Sequence, residues 1–408
     1  MTRIEGRTQN FSPGFFFSAA MDSHPFLPPA FFSKSLLPIY LCTFLFWASI
    51  YIYMPILPPY VQRIGGSLQS VGWVMSAYGL SQLILRIPLG LLSDRWGRRK
   101  PFVQLGFFLA GIGALGLILS PSVSWLFLSV LVVGIGASMW VPFSVLFASH
   151  FAPFLLGAAM GMLMFISRLS QVISNYAGGQ IAERKGWEAP FAAAGLLALM
   201  GFLLALALGE RSREAKGTSV GRKARTVLHH RQVLWASGLG LLMQFANFST
   251  TYGFTPIYAQ HLGASKGDLG FLLFLYTVPN AIVTYLAGPL SVRLGERTVV
   301  SLGFLIVACA VFLTPFAQPL GFLFLLQAWN GVGNGLIFPL LMGLSIKSVS
   351  DEYRGTAMGT FQSIYALGMT AGPAVSGWVG DQLGLSAIFC LSGLLTAGGA
   401  FLSWKKIA

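Results

Sequence analysis

The sequence predicts an all-α membrane protein, with twelve transmembrane helices in two pseudo-symmetric six-helix bundles. Three observations carry that expectation. Of 408 residues, 55% are hydrophobic and 9% are charged, against roughly 25% charged in soluble domains, so lipid is the main solvent of this chain. Twelve apolar runs have about the ~20 residues that an α-helix needs to cross the hydrocarbon core. The chain also repeats itself at an offset of 198 residues.

In the first half the runs are residues 36–60, 68–92, 101–119, 123–149, 156–181 and 189–208. In the second half they are 233–258, 269–290, 299–317, 321–346, 356–379 and 385–403. Between the sixth and seventh runs lies the polar, basic stretch GERSREAKGTSVGRKARTVLHHRQ, residues 209–232. It reads as a cytoplasmic linker joining an N-terminal bundle, 36–208, to a C-terminal bundle, 233–404. Residues 1–35 read as a disordered tail. Within them FSPGFFFSAAM is too short to span a bilayer and lacks the order of a secretory signal. IEGR, residues 4–7, has the look of a protease tag site, and Met21 is an alternative start.

The repeat decides the pairing of these runs. ILPPYVQRIGGS, 56–67, overlies FTPIYAQHLGAS, 254–265, with Pro58 on Pro256, Tyr60 on Tyr258, Gln62 on Gln260, Gly65 on Gly263 and Ser67 on Ser265. The same shift lays GLLSDRWGRRK from Gly90 over GPLSVRLGERT from Gly288, and GAAMG from Gly157 over GTAMG from Gly355. One offset serving three separate places marks two six-helix units in tandem.

Charge sets the orientation. The excess of 26 Lys and Arg over 12 Asp and Glu would suggest a nucleic-acid partner in a soluble protein, but a bilayer accounts for it here. With the amino terminus inside, twenty bases fall in cytoplasmic segments and four, Arg63, Arg184, Lys185 and Lys266, in outer loops. Bases in short loops stay on the cytoplasmic side, so both termini are expected in the cytoplasm and the protein in the plasma membrane, as a monomer. Cys42, Cys309 and Cys390 show neither CxxC nor metal spacing and read as core thiols. His229 and His230 have no second ligand pair, so no metal is expected, and no cofactor either. The runs hold no paired carboxylates and no Ser/His/Asp set, which argues against an enzyme or scaffold, and without a P-loop the energy must come from a gradient or an exchange.

GLLSDRWGRRKP, 90–101, places one acid and four bases between the second and third runs. Glycines allow a tight turn and close helix contact, and the bases anchor the inner end. Gly90, Asp94, Arg95, Gly97, Arg98 and Arg99 together resemble the G-x-x-x-D-R-x-G-R-R-x loop of the major facilitator superfamily, and the resemblance extends over about 36–403. It implies a twelve-span transporter whose two halves rock about a central site, with this loop as a cytoplasmic gate. Val292 replaces the acid in the second copy. The chain is similar to the drug-exporting, proton-antiporting branch, but departs from it at Val130 in the fourth run and at Ser174 and Asn175 in the fifth.

Charges within a bilayer are functional candidates by default. Arg168, in the middle of the fifth run, is the sharpest, with Gln171 and Asn175 one and two turns on. Its acceptor could be a substrate carboxylate or phosphate, or an internal structural pair. Arg86, two turns before Asp94, reads as a partner of the gate. The resemblance implies that the first, fourth, seventh and tenth runs line the path, which adds Trp47 and Tyr51, Trp140, Gln244 and Asn247, and Trp329, Asn330 and Asn334. No acid lies mid-span, so proton coupling would fall to Asp94, Glu183 or Asp381, the last two matching under the repeat. Pro142 and Pro339 are expected as matching bends. The expected function is alternating-access transport of a small organic solute, as efflux driven by a proton gradient. The alternative is uptake or exchange of an organic anion bound by Arg168.

Overall fold

The structure, a computed structural model, describes residues 36–151, 155–210, 230–350 and 353–407, without the Asp94 side chain. The tail expected over 1–35 and linker residues 211–229 lie outside the described residues. Among those described, all regular structure is helical and makes twelve passes. The first span is Leu37–Tyr51, resuming as Leu57–Arg63. The second is Leu68–Trp96, the third Lys100–Ile118, and the fourth Val123–Ser138 continued by Trp140–Ala148. The fifth is Leu156–Lys185 and the sixth Ala189–Leu206. The seventh is Arg231–Ser249, a π-turn at Thr250–Phe254, then Thr255–His261. The eighth is Lys266–Leu294, the ninth Glu296–Leu313 and the tenth Leu320–Lys347. The eleventh is Arg354–Leu383 and the twelfth Leu385–Lys406.

Eight of these helices are long and apolar enough to cross a membrane by length and composition alone. The first, fifth, seventh and eleventh spans fall short. The first and seventh are interrupted, and the fifth and eleventh carry polar residues that other helices must shelter from lipid.

The duplication is visible in the backbone. Six glycines among the described residues have positive φ, and they form three pairs 198 apart: Gly65 with Gly263, Gly97 with Gly295, and Gly186 with Gly384. Each pair ends a span where a side chain would strain the turn. The interruptions correspond as well, since the break at 52–56 lies 198 residues before the π-turn at 250–254. Pro58 and Pro256 follow these breaks at the second position of the resumed helix. Lacking an N–H and clashing with the carbonyl four residues back, each proline stops the helix from running straight through. The symmetry fails at the other proline pair: the fourth span divides at Met139, ahead of Pro142, whereas Pro339 sits inside an unbroken tenth span. Of the two spans with expected bends, only the fourth is divided.

The halves meet along two seams, second span against eleventh and fifth against eighth. We call the end carrying Arg63, Lys185, His261 and Leu383 the far end, and the end carrying Trp96, Lys100 and Leu206 the linker end. Toward the far end the seams are nearly backbone on backbone. A Cβ added to Gly72 would stand 2.3 Å from the Pro373 carbonyl oxygen, and one on Gly179 would stand 2.6 Å from Gly270 Cα. Such small residues let helices approach closely in a bilayer. The Ser76 hydroxyl donates to the Thr370 carbonyl at 2.7 Å, and the Asn175 amide donates to the Thr277 hydroxyl at 3.2 Å. Toward the linker end, Gly161, Gly288, Gly355 and Gly359 meet nothing within 4 Å. The backbone-close contacts between the halves lie toward the far end. Of the three expected core thiols only Cys42 is buried; Cys309 is exposed and Cys390 partly so, which a thiol facing lipid tolerates because it behaves as a small hydrophobe.

Candidate functional site

Between the seams lies a central cavity of about 140 Å³, lined from both halves. Trp47 and Tyr51 of the first span face it, as does Trp140 at the start of the second segment of the fourth. The Trp47 ring is 4.9 Å from Trp140 and 5.7 Å from Tyr51. Tyr51 is in turn 5.9 Å from Tyr252 in the π-turn, and Tyr252 is 6.0 Å from Tyr276 of the eighth span. A ribbon of rings thus crosses from one half to the other. A π-turn inserts an extra residue into the helical path, a distortion frequent at functional sites, and here it carries Tyr252 into the lining.

Two cations face this aromatic surface. Tyr78, Gln82 and Arg86 follow one another at four-residue spacing on the second span, and Ser167, Arg168 and Gln171 share a face of the fifth. Arg86 is buried and already engaged, donating to the Gln82 side-chain oxygen, to the Tyr365 hydroxyl and, at 3.5 Å, to Gln362. Its guanidinium also lies 5.4 Å from the centre of the Tyr365 ring. The sequence leads one to expect Arg86 as a partner of the gate, whose Asp94 carboxylate lies outside the described residues; its described partners are Gln82 of its own span and Gln362 and Tyr365 of the eleventh, so it fastens the halves together. Arg168 is half-buried and donates to Gln171 at 3.1 Å. A guanidinium has five N–H donors, so most of Arg168's hydrogen-bonding capacity faces the cavity. Neither Asp, Glu nor His is among the described lining residues, so the formal charge of the lining is the +2 of its arginines.

Four buried polar atoms without a partner also belong to lining residues: Trp47 Nε1, Arg86 Nε, Asn247 Oδ1 and Asn280 Oδ1. Buried polar atoms are normally satisfied, so these four mark residues of the lining whose polar groups are left unmatched among the described residues. Gln244 and Asn247 line the cavity and bond each other at 3.4 Å.

Other sequence candidates lie elsewhere. Asn175 is buried in the fifth–eighth seam. Asn330 donates to Thr251 at 2.9 Å and Asn334 donates to the Asn330 side-chain oxygen at 2.8 Å, both inside the C-terminal half. Trp329 is 52% exposed on the outside of the bundle and leaves the set altogether. Tyr78, Gln82, Tyr252, Tyr276, Asn280, Gln362 and Tyr365 join it. The four-residue spacing of Tyr78, Gln82 and Arg86 was a readable signal for one polar face.

At the gate motif, Gly97 closes the second span with φ 64°, its N–H donating to Ser93. Arg95 and Arg98 are exposed. The Asp94 carboxylate, expected to pair with an Arg or a helix terminus, lies outside the described residues. The acid seen here is Glu210, just past the sixth span, which accepts from the backbone N–H groups of Arg99 and Lys100 at the start of the third. Glu183 and Asp381 are at the far end, away from the cavity. Glu183 accepts from Gly267 N–H at 3.2 Å, and Asp381 accepts from Leu68 N–H at 2.9 Å.

Comparison with known proteins accords with this geometry. The Major Facilitator Superfamily pattern matches residues 39–263 and again 238–407. The chain belongs to the major facilitator superfamily. Among curated members, the multidrug resistance protein MdtG of Serratia proteamaculans is 25% identical, covering 91% of this chain and 93% of its own. The class G tetracycline resistance protein of Vibrio anguillarum is 27% identical over 87% and 88%. Among solved structures, a bacterial homologue of the human lysosomal transporter Spinster, inward-facing and unoccupied, superposes with a TM-score of 0.76 at 17% identity, covering 92% of this chain and 98% of that one. As a member of this superfamily the chain is a multi-pass membrane protein and a secondary transporter of small molecules, not an enzyme.

Proposed function

We propose that this superfamily member exports an amphipathic organic anion from the cytoplasm by alternating access, with Arg168 as the anion's anchor. The observation that carries the reading is the guanidinium of Arg168, bonded only to Gln171 among the described contacts, in a cavity of aromatic rings whose lining charge is positive. A carboxylate or phosphate takes paired N–H bonds from such a fork. An apolar body would lie against the Trp47–Tyr51–Tyr252 ribbon, where ring contacts add to the area buried. Burial of both partners in a low-dielectric space strengthens the charge interaction.

Direction and sidedness come from two further observations. Twenty bases against four favour a cytoplasmic linker end, and in this reading solute enters the cavity from that side. The relatives named above bear the names of drug-resistance proteins, which favours export across the plasma membrane. The present cavity, about 140 Å³, is below the ~300–1,000 Å³ of typical ligand pockets, so a drug-sized solute enters as the linker ends spread further. The proposed drive is the proton gradient, and one chain holds the whole path, consistent with a monomer.

Flux from proteoliposomes tests the reading. Aromatic carboxylates are offered beside neutral and cationic analogues of the same size, with and without an imposed pH gradient. Anions should be preferred, and Arg168→Ala should weaken their binding by about 10- to 100-fold, the worth of a charged hydrogen bond. Equal transport of neutral and anionic analogues, with Arg168→Ala at wild-type affinity, would reject the anion anchor. Stimulation of export by an inward proton gradient is expected, and indifference to it would reject the antiport drive.

A further inference from the structure

We infer that Glu183 and Asp381 are a symmetric pair of catches that hold the far end shut. The two acids lie 198 residues apart, the period of the backbone repeat. Each ends its own span and reaches across to the other half: Asp381 of the eleventh span takes the N–H of Leu68 on the second, and Glu183 of the fifth takes the N–H of Gly267 on the eighth. The recipient helices are themselves equivalent. Ser67 and Ser265 cap them in the same way, accepting from the N–H of Ser70 and Asp268 at the third helical position. The serine therefore satisfies one of the four open N–H groups of each helix start, and the acid of the opposite half satisfies another. The shorter aspartate reaches the first helical position and the longer glutamate the second. Both carboxylates face the positive end of a helix dipole. A third tie reinforces one seam, with the Lys266 ammonium 5.3 Å from the centre of the Trp187 ring across the halves.

The catches suit a contact that opens in each cycle. Gly377 beside Leu68, and Gly179 beside Gly270, bring the backbones close enough that these groups meet only when the far end is closed. The acids are exposed, so water can replace them as the helices separate, and each bond is worth little enough to break. Both catches lie outside the cavity, so this assignment stands or falls independently of the anion anchor. It gives Glu183 and Asp381 a positioning role: they act on the state of the gate and touch no substrate.

Spin labels at Leu119→Cys and Phe316→Cys, exposed far-end positions on opposite halves, would read the far-end separation in a background without the native cysteines. Glu183→Ala and Asp381→Ala should each shift the closed-to-open ratio by about threefold to tenfold, and the double variant by roughly the product. The more conservative Glu183→Gln and Asp381→Asn, which keep an acceptor but lose the charge, should shift it less. Thermal unfolding of each variant separates the catch from a plain helix cap. If the melting point falls while the far-end distance distribution of the double variant stays wild-type, the acids are local caps and the inference is wrong. An unchanged distribution with an unchanged melting point rejects it equally.

Discussion

At the far end of the molecule, Gly72 lies against the Pro373 carbonyl and Gly179 against Gly270, with no room for a methyl group between the halves. At the linker end, Gly161, Gly288, Gly355 and Gly359 meet nothing within 4 Å. The same residue type is used in opposite senses: in the first region glycine brings two surfaces together, and in the second it leaves space. Between the two regions stand Arg86, tied to Gln82 and the eleventh span, and Arg168, open to the cavity. Under the proposed function the first region closes the path and the second admits solute, with the arginines between them.

Substitution at the two kinds of glycine should break the comparison most sharply. Gly72→Ala, with a backbone oxygen 2.3 Å from the new Cβ, should cost about 3 kcal/mol or more, the upper range for overpacking, and abolish transport. Gly359→Ala should stay within about 0.5 kcal/mol, the spread of surface changes, judged by thermal unfolding in detergent. Similar melting points for both variants would contradict the account.

Next in size is the contrast between the arginines. Arg86→Ala removes a fastening between the halves and takes a donor from the Tyr365 hydroxyl and the Gln82 side-chain oxygen, so it should lower stability by about 1–3 kcal/mol. Arg168→Ala should leave the melting point nearly unchanged and act on substrate affinity. Reversal of this pattern, with Arg168 the stabilising residue, would exchange their roles.

Much of this arrangement was legible in the sequence. The twelve runs stand out because the cost of exposing backbone to lipid forces long apolar helices, and the repeat of Pro58 with Pro256 and Gly65 with Gly263 gave the pairing of the halves. Trp47, Tyr51, Trp140, Arg168 and Gln171 do line the cavity. What the sequence concealed was rotation. In a soluble helix the apolar stripe marks the buried face, but lipid is as apolar as a protein interior, so nothing in the tenth run separates exposed Trp329 from its buried neighbour Asn330. Contacts between distant residues were hidden for a different reason. The partners of Arg86, Glu183 and Asp381 are 279, 84 and 313 positions away, and only the packing of the halves brings them together.

Two smaller effects would sharpen the picture. A double-mutant cycle on Asn175→Ala and Thr277→Ala should return a coupling of about 0.6 kcal/mol, the average for a hydrogen bond between membrane helices, placing the fifth–eighth seam among ordinary packing contacts. Trp329→Ala should leave transport within about twofold, since the ring faces outward at 52% exposure and exposed sites contribute little. A larger loss would return the tenth span to the cavity wall.

The central claim, a cavity open at the linker end and sealed at the far end, is tested most directly by alkylation with a membrane-impermeant maleimide. In a background without native cysteines, Met342→Cys on the cavity wall and Ser76→Cys in the second–eleventh seam are exposed to reagent from the cytoplasmic side. The account expects rapid labelling at 342 and protection at 76. Protection at 342 with labelling at 76 would contradict it.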